Sequence, residues 1–171
     1  MAINTHGGGA NTNYFGLQFE QDTSLNNALL NEGFFINGNE VYYEDELVGF
    51  SLPKYELYNH FDHIRGDLYS RYISKKLLPD EAFFNLRNNT LYIIEKKFQH
   101  SSGSVDEKLQ TCDFKMWEYW KMFSPVGITV KYMYVLNDWF EQPMYNDVKQ
   151  YIMEHGFFYY FNAIPLTEIG L

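Results

Sequence analysis

The chain has 171 residues, enough for one domain with a sizeable core, and 19% of them are aromatic, which excludes a disordered chain. No apolar run reaches the length of a membrane span, the N-terminus lacks a signal-peptide pattern, and the single Cys112 excludes an internal disulfide or a cysteine-built zinc site. The expectation is a soluble cytoplasmic protein whose formal charge of −9 disfavours nucleic-acid binding unless its basic residues cluster.

Met1 to Asn13 carries Gly7-Gly8-Gly9 and reads as a flexible arm, or as backbone N–H groups able to approach a phosphate. The arm lacks the strand, Lys and Ser/Thr of a P-loop, so no nucleotide cofactor is expected. Tyr14 to about Asn31 is predicted helical, with Phe15, Leu17, Phe19, Leu25, Ala28 and Leu29 inward and Gly33 as its stop. Residues 34–78 are the least regular part and a candidate DNA-recognition insert. Phe34-Phe35-Ile36 and Glu40-Val41-Tyr42-Tyr43 read as strands around an Asn37-Gly38-Asn39 turn, and Pro53 breaks the chain before a short helix over Lys54 to His63. Tyr55, Tyr58, Asn59, His60 and His63 are side chains that read bases, or an ordinary aromatic surface. Arg65, Arg71, Lys75 and Lys76 form the basic cluster, and they are the candidate DNA-contacting cations.

Asn88-Asn89 parts two β-rich runs, Ala82–Leu86 and Leu91–Glu95, and reads as the turn of a hairpin. A two-residue loop puts Asp80 opposite Lys97 and Ala82 opposite Glu95. Asp80, Glu95 and Lys97 then share one face of the ladder with Phe84, Leu86, Leu91 and Ile93. Charge at the end of an apolar stripe suits a hard cation such as Mg2+, which relieves the repulsion of paired carboxylates, with a lysine to orient or deprotonate a water. The plain alternative is a cross-strand Asp80–Lys97 salt bridge.

Ser104 and Glu107 form a capping box opening a helix whose stripe is Val105, Leu109, Cys112, Met116, Trp120 and Phe123. Lys108 falls on its first turn, against the helix dipole, where a phosphate would account for it, as would a local salt bridge. Pro125 and Gly127 end that helix, and Ile128 to Leu136 alternates as a strand. Trp139-Phe140 is a hydrophobic loop, a dimer contact or a buried corner. Pro143 starts a helix with Met144, Val148, Tyr151 and Ile152 inward and Gly156 as its stop, and Phe157 to Phe161 closes the chain as a strand. The order implies an α/β (mixed α+β) domain over residues 1–171, with a central mixed sheet flanked by helices.

Pro79-Asp80, then Glu95-Lys96-Lys97 with Gln99 and the run Gly103 to Leu109, resembles the PD-(D/E)xK nucleases, and among them the type II restriction endonucleases. The resemblance covers about residues 77–137 and implies a restriction-endonuclease-like core and a Mg2+-dependent cut of double-stranded DNA that leaves 5′-phosphate ends. It implies Asp80 and Glu95 as metal ligands, Lys97 as the catalytic lysine, Gln99 and Lys108 in support, and Glu20 of the first helix as a third acid. Ser104 joins the candidate DNA contacts. An enzyme reading a symmetric duplex site would be a homodimer. Two other readings stay open: a repair, junction-resolving or homing nuclease of the same fold, and an acidic interaction protein that cuts nothing.

Overall fold

The computed structural model describes residues 8–101 and 105–171. Ser104, Gly7 and His6 therefore lie outside the described residues, and with them the capping box and part of the glycine run. Seven strands form one sheet whose spatial order follows the chain: β1 (Phe35–Asn37), β2 (Glu40–Tyr43), β3 (Glu46–Ser51), β4 (Glu81–Asn85), β5 (Thr90–Lys97), β6 (Thr129–Leu136) and β7 (Phe158–Phe161). The first five pair antiparallel, while β5–β6 and β6–β7 are parallel, so the sheet is mixed, as the element order predicts.

Among the described residues, seven α-helices cover it: α1 (Gly8–Asp22), α2 (Leu25–Asn31), α3 (Tyr55–Arg65), α4 (Leu68–Tyr72), α5 (Val105–Leu109), α6 (Cys112–Phe123) and α7 (Asn146–Glu154). Buried residues of α3, α5, α6 and α7, and the partly buried Tyr69 and Tyr72 of α4, pack on the face carrying Ala82, Phe84, Leu91, Ile93, Tyr132 and Tyr134. Phe19 of α1 and Leu25 and Leu29 of α2 pack on the other, against Phe83, Tyr92, Ile94 and Met133. Both parallel crossovers step the same way along the sheet, and two crossovers of one hand then fall on one face.

Several expected boundaries shift. Gly8 to Asn13, read as an arm, already belongs to α1. The helix predicted through Asn31 breaks at Thr23-Ser24, because Ser24 caps α2 by accepting from Asn27 N–H. Phe15 and Leu17 are exposed, leaving Phe19, Leu25 and Leu29 as the apolar contacts. Gly33 (φ 85°) and Gly156 (φ 79°) do stop their helices in left-handed backbone. The helix predicted from Ser104 is two helices, broken at Gln110-Thr111, and the inward face of α6 is Cys112, Tyr119, Met122 and Phe123. Trp120, expected inside, is 51% exposed, and Met144 ahead of α7 is 66% exposed. Phe140 is fully buried, so the Trp139-Phe140 loop is a core corner.

The strand β3 was not anticipated, and Gly49 explains both its weak pattern and its presence. A Cβ at Gly49 would stand 2.5 Å from the Phe84 carbonyl oxygen and 2.6 Å from the Phe83 ring. Only a residue without a side chain lets β3 lie against β4 there.

Candidate active site at the end of the hairpin

The hairpin is longer-looped than Asn88-Asn89 alone: Asn85 pairs with Thr90, leaving Leu86 to Asn89 as the turn, with Asn89 at φ 51°. Leu86, expected in the core, is 42% exposed at this turn. The pairing is Ala82 opposite Ile93 and Glu81 opposite Ile94, two residues from the predicted register. A shift of two preserves which face each side chain takes, so Asp80, Glu95 and Lys97 still come together.

β5 runs past the start of β4, and its last residues pair with β6 on one side only, through Glu95–Tyr134 and Lys97–Leu136. Asp80 fills the open side: its Oδ2 accepts the Lys96 backbone N–H at 2.8 Å, doing what a ladder carbonyl would do. The Lys97 ammonium then lies 3.6 Å from Asp80 Oδ2, 2.9 Å from Glu95 Oε2 and 2.9 Å from the Lys96 carbonyl oxygen. Three oxygens thus converge on one positive centre. Burial is graded across the group, with the Glu95 side chain 6% exposed and that of Asp80 31% exposed at the mouth.

A second lysine completes the cluster. Lys115, on α6, donates to the same Glu95 Oε2 at 2.8 Å. Two carboxylates and two ammoniums balance formally, so the buried Glu95 charge is compensated within the site. Lys115 was not anticipated, although it stands between Cys112 and Tyr119 on the inward face of α6, where a lysine is out of place unless an acid awaits it.

Beneath the cluster lie Tyr119, Tyr132 and Tyr134, all essentially buried. Burial is the main cause pushing each of their phenols well above the ordinary tyrosine range, and the Glu95 charge adds to it. They are neutral and make a low-dielectric floor. Gln99 is 3% exposed one pleat beyond Lys97, its amide 3.5 Å from the Tyr145 hydroxyl. Its backbone is clamped to Asn137, which accepts from Gln99 N–H at 3.0 Å and donates to its carbonyl at 2.9 Å. Gln99 thus supports the end of β5 from inside.

Lys96 points to the opposite face and makes a separate buried pair, 2.8 Å from Glu81 Oε1 and 3.0 Å from the Glu20 carbonyl oxygen. A cleft of about 500 Å3 on this side is walled by Glu20, Asp80, Glu81 and Lys96 together with Lys54 and Gln21. The Glu20 side chain is exposed in it, sharing the cleft with Asp80. Among the described residues, no group of three or more His, Cys, Asp or Glu side chains is placed to hold a metal ion. The oxygen donors at the cluster are two carboxylates and the Lys96 carbonyl, all hard oxygens of the kind Mg2+ takes.

Lys108 is exposed at the last turn of the short α5, where the helix dipole favours a cation, so its position needs no phosphate. Its carbonyl, not its ammonium, reaches the site's floor by accepting from the Tyr134 hydroxyl at 3.3 Å. Of the basic cluster, Arg71 and Lys75 are exposed, whereas Lys76 is held 3.4 Å from Asp62 and over the Tyr58 and Tyr69 rings. Arg65 ends α3. The segment then leads through Leu77, whose carbonyl accepts from Tyr58 and Tyr119, into Pro79-Asp80. Tyr58 is therefore core, and His60 packs at tilted and edge-on angles among Phe50, Phe61 and Phe84, while Tyr55, Asn59 and His63 remain exposed. Cys112 is fully buried, and burial pushes its thiol up to about 11, which excludes it as a nucleophile at neutral pH.

No helix among the described residues is long and apolar enough to cross a membrane. Comparison with protein-family models, with curated proteins and with solved structures finds no match to this chain, so the arrangement of Asp80, Glu95, Lys97 and Lys115 is what bears on its chemistry.

Proposed function

We propose that the protein is a Mg2+-dependent endonuclease that hydrolyses phosphodiester bonds of double-stranded DNA, in the manner of a type II restriction enzyme. The observation that carries the reading is the convergence of Asp80 Oδ2, Glu95 Oε2 and the Lys96 carbonyl on the Lys97 ammonium at the open end of a hairpin. A magnesium ion held by those oxygens would polarise a phosphate oxygen and make a bound water more acidic. Lys97, as an ammonium, would orient the attacking water and offset charge building on the phosphate, and the water's proton would pass to a neighbouring solvent water as its oxygen attacks phosphorus. The P–O3′ bond breaks with its electron pair going to O3′, which takes a proton from solvent and leaves a 3′-hydroxyl and a 5′-phosphate. Asp80 and Glu95 are held for this by the Lys96 N–H and by Lys115 respectively. Glu20 faces the adjoining cleft, from which its carboxylate would add a water-mediated contact. Arg71 and Lys75, exposed on the segment entering Asp80, would meet DNA phosphates. Reading a symmetric site would require two copies related by a two-fold axis.

The same contacts favour a second reading. A cluster of two acids and two lysines is electrically complete without a metal, and the chain carries a net −9, as an acidic interaction protein would. Incubation with plasmid and long linear DNA, in Mg2+ or in EDTA, separates the two. Discrete Mg2+-dependent fragments support the restriction reading, nicks dependent on DNA structure support a repair or junction nuclease, and no cleavage leaves the cluster structural. Lys97→Ala should lower cleavage by about 10^2- to 10^4-fold. Cutting at the wild-type rate would move the chemistry elsewhere.

A further inference from the structure

Glu95 Oε2 receives two ammoniums from unrelated parts of the chain, Lys97 at 2.9 Å and Lys115 at 2.8 Å. They cannot lie much more than about 6 Å apart, a separation at which like charges repel by a sizeable fraction of a kcal/mol even in water. Lys97 is placed by the strand that also carries Glu95, and it has two further oxygens to bind, the Lys96 carbonyl and Asp80. The only contact recorded for the Lys115 ammonium among the described residues is Glu95. Its side chain is also the more exposed, 24% against 13% for Lys97, so it stands toward the mouth at the end of a flexible stem.

Resting on the nuclease reading, we propose that Lys115 is an exchangeable counter-ion: it holds the Glu95 carboxylate in place until a divalent cation takes that oxygen, and then turns outward to bind a phosphate of the DNA strand. The exchange follows from charge. An oxygen bonded to two ammoniums has little potential left for a third cation. The less constrained of the two lysines is the one free to leave. Once displaced from Glu95 toward the mouth, the ammonium has lost that partner while the metal stays, and a substrate phosphate is an anion it can pair with. Lys115 is thus a positioning residue for Glu95 before loading and a substrate contact after it.

The test is calcium binding by the DNA-free protein, measured by isothermal titration calorimetry, since Ca2+ takes the same oxygen donors as Mg2+. Lys115→Met should bind Ca2+ about tenfold more tightly than wild type, the effect of removing one positive charge near a divalent ion in a wet site. Lys115→Arg should match wild type, and Lys149→Met, at a half-buried lysine on α7, should shift affinity less than twofold. In Ca2+, Lys115→Met should bind a DNA duplex several-fold more weakly despite its tighter metal. Unchanged or weaker Ca2+ binding by folded Lys115→Met, or unchanged DNA binding, overturns the exchange while leaving the nuclease reading intact. If neither wild type nor variant binds Ca2+, the metal site itself is refuted, and the exchange with it.

Discussion

Lys96 offers the sharpest test of how this hairpin is built, because it carries charge into the core on the face turned away from the candidate site. Its side chain is 4% exposed and that of Glu81 12% exposed, with 2.8 Å between them. Glu81 Oε1 also accepts the Leu25 N–H at the start of α2, and Lys96 reaches the Glu20 carbonyl of α1, so one ion pair fastens both helices to the sheet. Lys96→Met removes one charge and strands the other. Leaving a buried carboxylate uncompensated costs about 3–5 kcal/mol. At about 2–4 °C per kcal/mol for a chain of this size, the melting temperature should fall by roughly 10 °C. Glu81→Leu combined with Lys96→Met removes both charges, and the double variant should recover most of that loss. The assay is urea unfolding of wild type, both single variants and the double, closed as a double-mutant cycle. A Lys96→Met midpoint equal to wild type, or single-variant losses that simply add, would refute the claim that the pair is buried and coupled.

Three further outcomes follow from the packing. Gly49→Ala should destabilise by about 1–3 kcal/mol, read as a lower urea midpoint, because its new methyl meets the Phe84 carbonyl and Phe83 ring. His60 has its pKa lowered by burial and, secondarily, by His63, so folding favours the neutral imidazole. Its contribution is whole above the ordinary histidine value of about 6.5 and is lost as pH falls from there through the lower folded value, because the unfolded chain then binds the proton first. Stability measured across that window should therefore fall less steeply in His60→Phe than in wild type. The Cys112 thiol, buried and raised to about 11, should resist a thiol reagent such as DTNB in the native protein and react at once in denaturant.

What could be read ahead of the structure was what alternation carries. The hairpin face survived a two-residue error in register because side-chain orientation repeats every two residues, so Asp80, Glu95 and Lys97 met despite the longer turn. Helix faces were less forgiving. The predicted stripe kept Leu109, Cys112, Met116 and Phe123, which do pack inward, but ran through the exposed Trp120 and left out Tyr119 and Met122, an equally regular choice that only packing decides. That choice hid Lys115, which is conspicuous on the correct face and unremarked on the other. The break at Gln110-Thr111 reversed the meaning of Lys108, since the same residue counts as first turn of one helix and last turn of another. Gly49 masked β3 because a strand that must lie close to its neighbour gives up the side chain by which strands are recognised.

Strand order that follows chain order has a consequence for how the molecule is made. Among the first five strands, each after β1 pairs with the strand before it in the chain, across short turns except between β3 and β4, where α3 and α4 intervene, so the meander can form in the order of synthesis. Glu95 and Lys97 emerge with that meander, but Lys115 arrives only with the crossover to β6. Until then the Glu95 carboxylate has Lys97 alone, and a nascent chain completes this charge balance before β6 and its Tyr132 and Tyr134 are made to close over it.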